Sequence, residues 1–309
     1  MHTPAHPTSP SDHNSRYLLG ESEGEHQRLR DQAVVLDPLT RLFLADSEIC
    51  PGMRVLDLGT GAGSVAAIAA DLVGEEGRVL AVDRDANALE AAQRALSKRP
   101  QVEFAEMDLR DLDLDEEFDA VIGRAVLMHL PDPVAVLRRA ADHVRPGGLL
   151  CMHELDVTHQ WTSVSTPLWA EVRSWIFEVF GTSGVHMRMG PDLFAAFRRA
   201  GLPDPHLTVD APVGGGDELP TFGWANVVEA LVPIIGKLGI ATADEIDIAT
   251  LTERLCAEID AADGIVLGPI LYGATCTIDG GDSSAGQAQA SIGRIRSNST
   301  MRGTAPGRT

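Results

Sequence analysis

The segment Val55-Leu-Asp-Leu-Gly-Thr-Gly-Ala-Gly-Ser64 constrains this chain more than any other. A short apolar strand enters a turn with three alternating glycines, and the Ala-rich run 64–73 that follows reads as a buried helix. Such a turn lets a ligand approach bare backbone, and the helix N-terminus behind it presents unpaired N–H groups. The spacing is G-x-G-x-G, not the G-x-G-x-x-G of dinucleotide sites, because position 64 is Ser. Asp57 stands two residues before the first glycine. A carboxylate there serves a pyrophosphate poorly and a cationic ligand better.

The same strand–helix rhythm runs on through the chain. Strands are predicted at 54–58, 78–83, 102–105, 118–123 and 149–155, and helices at 64–73, 87–96 and 133–144, with a tight turn at 145–148. Alternation with short connections implies an α/β chain with a doubly wound, mostly parallel sheet. The rhythm breaks after 155. Helices are predicted at 169–180 and 191–200, a strand at 206–211, two or three helices in 221–262 and a last strand within 265–278. The expected organisation is a polar tail at 1–14, a helical cap segment at 16–48 and a ligand-binding core at 49–157. Cap insertions follow at 158–189 and 213–262, returns to the core at 190–212 and 263–279, and a second tail at 280–309.

Charge and composition narrow the function classes. Asp plus Glu is 45 against 25 Lys plus Arg, a net charge of −20 in 309 residues, which argues against a phosphate-backbone binder. No run of 18 apolar residues reads as a membrane span, and residues 1–15 contain no apolar leader-like run. The four cysteines form no close pair. A reducing, cytoplasmic setting is therefore expected, with neither membrane nor nucleic acid as partner. The histidines show no metal-ligand spacing, so no metal is expected.

Two more carboxylates fall at strand ends, where open α/β sheets bind ligands. Asp83 follows Gly59 by 24 residues and can accept both hydroxyls of a ribose. Asp108, in Glu106-Met-Asp-Leu109, can meet an adenine amino group. These pieces, with Met128-His-Leu-Pro-Asp-Pro133 and Arg145-Pro-Gly-Gly148 in order, resemble the class I S-adenosylmethionine-dependent methyltransferases, of the small-molecule, natural-product type. The likeness covers about residues 50–155 and continues more weakly to 278.

The resemblance implies a seven-stranded Rossmann-like sheet and S-adenosyl-L-methionine as cofactor. It implies that Gly59, Thr60 and Gly61 line the methionine part, Asp83 and Arg84 the ribose, and Asp108 and Leu109 the adenine, with Asp57 the carboxylate facing the cationic cofactor. Arg124 and Ala125 would sit near the sulfonium and amino group. Arg124 departs from the small or polar residue expected there, and it could instead face a carboxylate or the acceptor. Tyr17 and Gln32 are either cofactor contacts from a closing N-terminal helix or part of a helix packed on the sheet.

On the acceptor side, Glu154 is either a proton acceptor or a salt bridge or loop cap. His129 is a base or a pocket wall, and His186 a pocket lip. Met128, His153, Trp161 and Trp224 are candidate substrate contacts, since aromatic walls suit a flat or apolar acceptor such as an indole. Trp175 and Tyr272 read as packing. The apolar run 227–235 suggests a homodimer. Three other readings compete. A non-catalytic binder would show a broken glycine loop or a lost Asp83. An NAD-dependent oxidoreductase would need Gly at 64 and no Asp at 57. A protein or RNA methyltransferase would carry an NPPY-like tetrad where Gly123-Arg-Ala-Val126 stands.

Overall fold

Period-two alternation along the central strands decides how the sheet packs. The computed structural model describes residues 23–216 and 224–279, with side chains from Gln32 onward. In β1 (Arg54–Leu58), Val55 enters one hydrophobic layer while Leu56 and Leu58 enter the other. In β2 (Arg78–Asp83) and β4 (Phe118–Arg124), Val79, Ala81, Ala120 and Ile122 join Val55, whereas Leu80, Val82 and Val121 join Leu56. Strands buried on both faces are what a parallel sheet between two helical layers requires.

With β3 (Val102–Glu106), β5 (Val144–Asp156), β6 (His206–Asp210) and β9 (Ile270–Thr277), these strands form a seven-stranded sheet in the order β3-β2-β1-β4-β5-β9-β6. The first five in that order run parallel, β9 lies antiparallel to β5, and β6 antiparallel to β9. A separate two-stranded ribbon joins β7 (Val213–Gly214) to β8 (Val266–Leu267). The strand order reverses between β1 and β4, and the crevice above such a point is where ligands bind in open α/β sheets.

Helices α1 (Glu23–Asp46) and α2 (Ser64–Val73) pack on the Val55 face. The α2 helix is buried through Val65, Ala66, Ile68, Ala69, Ala70 and Val73. Helix α3 (Ala86–Ala95) starts at Asp85, whose side chain accepts the Asn87 N–H at 2.9 Å. Helices α4 (Pro133–Asp142) and α6 (Met189–Ala200) cover the opposite face. There α5 (Pro167–Ser183), α7 (Trp224–Leu238), α8 (Ala243–Ile246) and α9 (Ile248–Asp260) extend the same core.

Two expectations change. The turn at 145–148 lies inside β5 as an irregularity, with Phe118 opposite Val144 but Ala120 opposite Leu149, and Gly147 at φ 76° absorbs the kink. The apolar stripe expected to form a dimer is largely consumed within the chain, since Val228, Leu231 and Ile235 of α7 have no exposed surface. That stripe therefore gives the homodimer no support. The predicted tails at 1–14 and 280–309 lie outside the described residues. Among the described residues no helix is long and apolar enough to cross a membrane.

The α4 helix follows the turn that carries several candidate site residues, and its N-cap is Asp132, accepting the Ala135 N–H at 2.9 Å. Asp132→Ala is expected to cost about 1 kcal/mol of stability. Urea unfolding followed by circular dichroism checks this, and an unchanged midpoint would contradict it.

Candidate functional site

The glycine loop is shaped from both sides. Gly59 and Gly61 take φ 65° and 54°, the left-handed region that disfavours side chains. A Cβ on Gly59 would lie 2.5 Å from Val126 Cγ2, so the turn after β4 presses directly on the loop. A Cβ on Gly61 would meet nothing within 4 Å, so the backbone is open there. Thr60 donates its N–H to the Val82 carbonyl at 3.0 Å, and Gly61 donates its N–H to Asp83 Oδ2 at 2.8 Å. Asp83 Oδ1 accepts the Asp85 N–H at 3.0 Å. Asp83 thus orders the loop while staying half-buried at the crevice.

Asp57 is 1% exposed, and neither carboxylate oxygen has a hydrogen-bond partner of ordinary geometry among the described residues. Burial pushes its carboxyl up to about 7, although Thr60, Arg124 and the Ala66 amide ease the charge and Asp83 adds to the burden. A buried carboxylate left in this state is costly unless something cationic or hydrogen-bonding completes it. Together with the tight Gly59 and the open Gly61, it fits a ligand carrying positive charge.

Asp108 and Leu109 lie where the third strand ends. Leu109 is buried and starts a 3-10 turn, Leu109–Asp111. Asp108 caps that turn and pairs with Arg110, Oδ2 to Nη2 at 2.6 Å, which holds its carboxyl below the usual range. Arg84 is exposed at the start of the β2–α3 connection.

Strand alternation separates the two residues expected together on the acceptor side. His153 turns toward α1, where its ring stacks on Phe43 with centroids 4.6 Å apart and Nδ1 lies 3.2 Å from Thr40 Oγ1. Burial, with Arg124 nearby, pushes its pKa down to about 3, so the ring stays neutral. His153 is thus a seam residue, not a substrate contact. Glu154 turns the other way and is fully buried. Its Oε1 accepts the N–H groups of Val126 and Leu127 at 3.0 and 2.9 Å, and its Oε2 that of Met128 at 3.3 Å. Burial raises its pKa to about 7 against those three donors. It caps the turn 126–128, which departs from the proton-acceptor role expected of it, because both oxygens accept backbone N–H groups in a residue with no exposed surface.

Arg124 does meet a carboxylate, and that carboxylate is the protein's own. Nη1 donates to Asp37 Oδ1 at 2.8 Å and to Thr40 Oγ1 at 3.0 Å, and Nη2 donates to Ser64 Oγ at 2.6 Å. Asp37 and Thr40 are not marked in the sequence, and Ser64 stands out there only as the residue that breaks the dinucleotide spacing. No motif marks Asp37 or Thr40, because their partner lies more than 80 positions away. Gln32 lies half-buried on the same α1, and Tyr17 lies outside the described residues.

The remaining candidates divide between rim and core. Ala125 is half-exposed at φ 50°. His129 ends a 3-10 turn, Leu127–His129, and is half-buried; His186 is exposed, with its N–H donated to the Met128 carbonyl at 2.9 Å. The structure thus brings the 184–188 loop against the turn after β4. Met128 itself is 4% exposed with its side chain in the core, a correction to its expected substrate contact. Trp224 is likewise core. It stacks on Trp161 with centroids 3.6 Å apart and planes 14° from parallel. Trp161 borders a cavity of about 380 Å³ that is also lined by Thr166, Trp169 and Arg173. Trp175 packs, as expected.

Residues 49–184, which carry the glycine loop, the strand-end acids and the five parallel strands β1 to β5, form a class I S-adenosylmethionine-dependent methyltransferase domain. The profile of the family described as "Methyltransferase domain" matches those residues, and S-adenosylmethionine is the family's cofactor. The chain is 32% identical over 126 residues to a ubiquinone biosynthesis O-methyltransferase of Xanthomonas campestris pv. campestris, covering 40% of this chain and 52% of that one. It is 37% identical over 116 residues to a trans-aconitate 2-methyltransferase of Azoarcus sp., covering 38% and 42%. It thus spans about half the length, or less, of these curated relatives. A methyltransferase candidate from Bacillus halodurans C-125 shares the fold, with a TM-score of 0.51 at 16% identity over 78% of this chain and 99% of that one.

Asp57 yields a test by pH. Its folded pKa of about 7 exceeds the ordinary 3.8, so the stability linked to its protonated form is present below about pH 4 and lost as pH rises through 7. Asp57→Asn removes that loss. The ligand-free variant is expected to be more stable than wild type at pH 8, by roughly 1–3 kcal/mol, with the gap closing toward pH 4. Thermal unfolding across pH measures the gap, and a difference independent of pH would refute the assignment.

Proposed function

We propose that the whole chain is a methyltransferase that moves the methyl group of S-adenosylmethionine to a small, flat or apolar acceptor at nitrogen, oxygen or carbon. The buried Asp57 carboxylate, with no hydrogen-bond partner of ordinary geometry among the described residues and an open glycine backbone beside it, carries this reading. Relatives named for ubiquinone, trans-aconitate and arsenite support a small acceptor, as does the acidic charge of −20. When bound, the cofactor supplies a methyl carbon already activated by cationic sulfur.

The chain's residues then have three tasks. Gly59, Thr60 and Gly61 hold the amino-acid end, and Asp57 offsets its positive charge. Asp83 receives the ribose hydroxyls, with Arg84 beside it, and Asp108 and Leu109 bound the adenine. Gln32, half-buried on α1, and Tyr17 remain candidate cofactor contacts from the N-terminal side of the sequence. Holding two reactants in line supplies several kcal/mol, up to about 7–11 in ideal cases, and excluding water protects the transfer. If the acceptor must lose a proton, His129 and His186 are the rim groups that can take it, since Glu154 is sealed. The cavity beside Trp161, lined by Trp161 and Trp169 among Ser and Thr side chains and Arg173, is the candidate space for a flat acceptor.

Calorimetry with S-adenosylhomocysteine tests the reading, with binding expected for wild type. Asp83 also orders Gly61, and a hydrogen bond to a charged group contributes about 1.5–3 kcal/mol. Asp83→Ala is therefore expected to weaken affinity by at least about ten-fold. Unchanged affinity would remove Asp83 from the site, and no binding by wild type would end the proposal.

A further inference from the structure

We propose that Glu154 is a positioning residue whose carboxylate locks the turn 125–128, so that one turn spaces the glycine loop on one side and the 184–188 loop on the other. This rests on reading the glycine loop as a nucleoside site. The N–H groups of Val126, Leu127 and Met128 lead into a 3-10 turn, where helical N–H groups have no carbonyl within reach. Glu154 supplies the acceptors for all three. The preceding residue of the same strand continues the clamp through its backbone, since the His153 carbonyl accepts the Ala125 N–H at 2.9 Å. Ala125 sits at φ 50°, a conformation a non-glycine residue keeps only when its surroundings hold it.

The clamped turn touches both the glycine loop and the 184–188 loop. On one side, Val126 Cγ2 would lie 2.5 Å from any Cβ on Gly59, so the turn limits how far the glycine loop can shift. On the other, the Met128 carbonyl accepts the His186 N–H, tying the 184–188 loop to the end of the same turn. A base must offer a lone pair to the substrate, whereas Glu154 already accepts three backbone N–H groups in a residue with no exposed surface. A displaced turn would misplace both loops together, and errors of about 1 Å are enough to cost transfer efficiency.

Glu154→Gln replaces one acceptor oxygen by a donor facing backbone N–H groups. The expected result is affinity for S-adenosylhomocysteine weakened about ten-fold by calorimetry, a KM for S-adenosylmethionine raised more than kcat falls, and faster amide exchange confined to 125–128 and 184–188. Wild-type affinity with turnover collapsed would make Glu154 a base and overturn the proposal, as would unchanged exchange at the turn. Should the variant not fold, amide exchange of ligand-free wild type still decides: slow exchange at Val126 and Leu127 is required, and exchange as fast as in free peptide overturns the clamp. Failure of wild type to bind S-adenosylhomocysteine would instead count against the nucleoside site, and the exchange measurement would stand apart from it.

Discussion

Two carboxylates at the upper rim of the sheet are shut away from water, and the fold treats them in opposite ways. Glu154 is given three backbone N–H groups and becomes part of the framework. Asp57 has no partner of ordinary geometry among the described residues, although it sits beneath the most open backbone of the glycine loop. Burying an ionisable group without compensation is among the more expensive features a fold can keep. The site is organised around that cost. One acid is satisfied by backbone N–H groups, and the other is eased only in part by Thr60, Arg124 and the Ala66 amide.

Arg124 shows why that easing is only partial. It stands at the end of β4, near enough to ease the Asp57 carboxylate, yet its guanidinium is engaged by Asp37, Thr40 and Ser64. Asp37 and Thr40 lie on α1 and Ser64 opens α2, so the arginine fastens the N-terminal helix to the end of the glycine loop. With side-chain exposure of 11% on Arg124, this ion pair is better shielded from solvent than ordinary surface pairs. The position of α1 on the sheet is thereby tied to the loop.

Much of the fold was legible because buried parallel strands read as short apolar runs and because the glycine turn needs unusual backbone angles. The strands at 54–58 and 78–83 and the helix at 64–73 have the predicted bounds. The turn at 145–148 was misread because Pro-Gly-Gly marks a break in local conformation without saying that pairing resumes beyond it. Met128, His153 and Trp224 were misplaced for a related reason. A residue near a strand end or a helix start can face the crevice or the core, and only the packed neighbours decide.

The sequence by itself determined the alternating α/β framework, the open glycine backbone and the acids at successive strand ends, because periodicity and glycine geometry act over a few residues. Tertiary structure alone decided that His153 faces α1 while Glu154 grips a turn, and that Arg124 is claimed by Asp37. Those outcomes depend on contacts between residues some 25 to more than 100 positions apart, which local pattern does not encode.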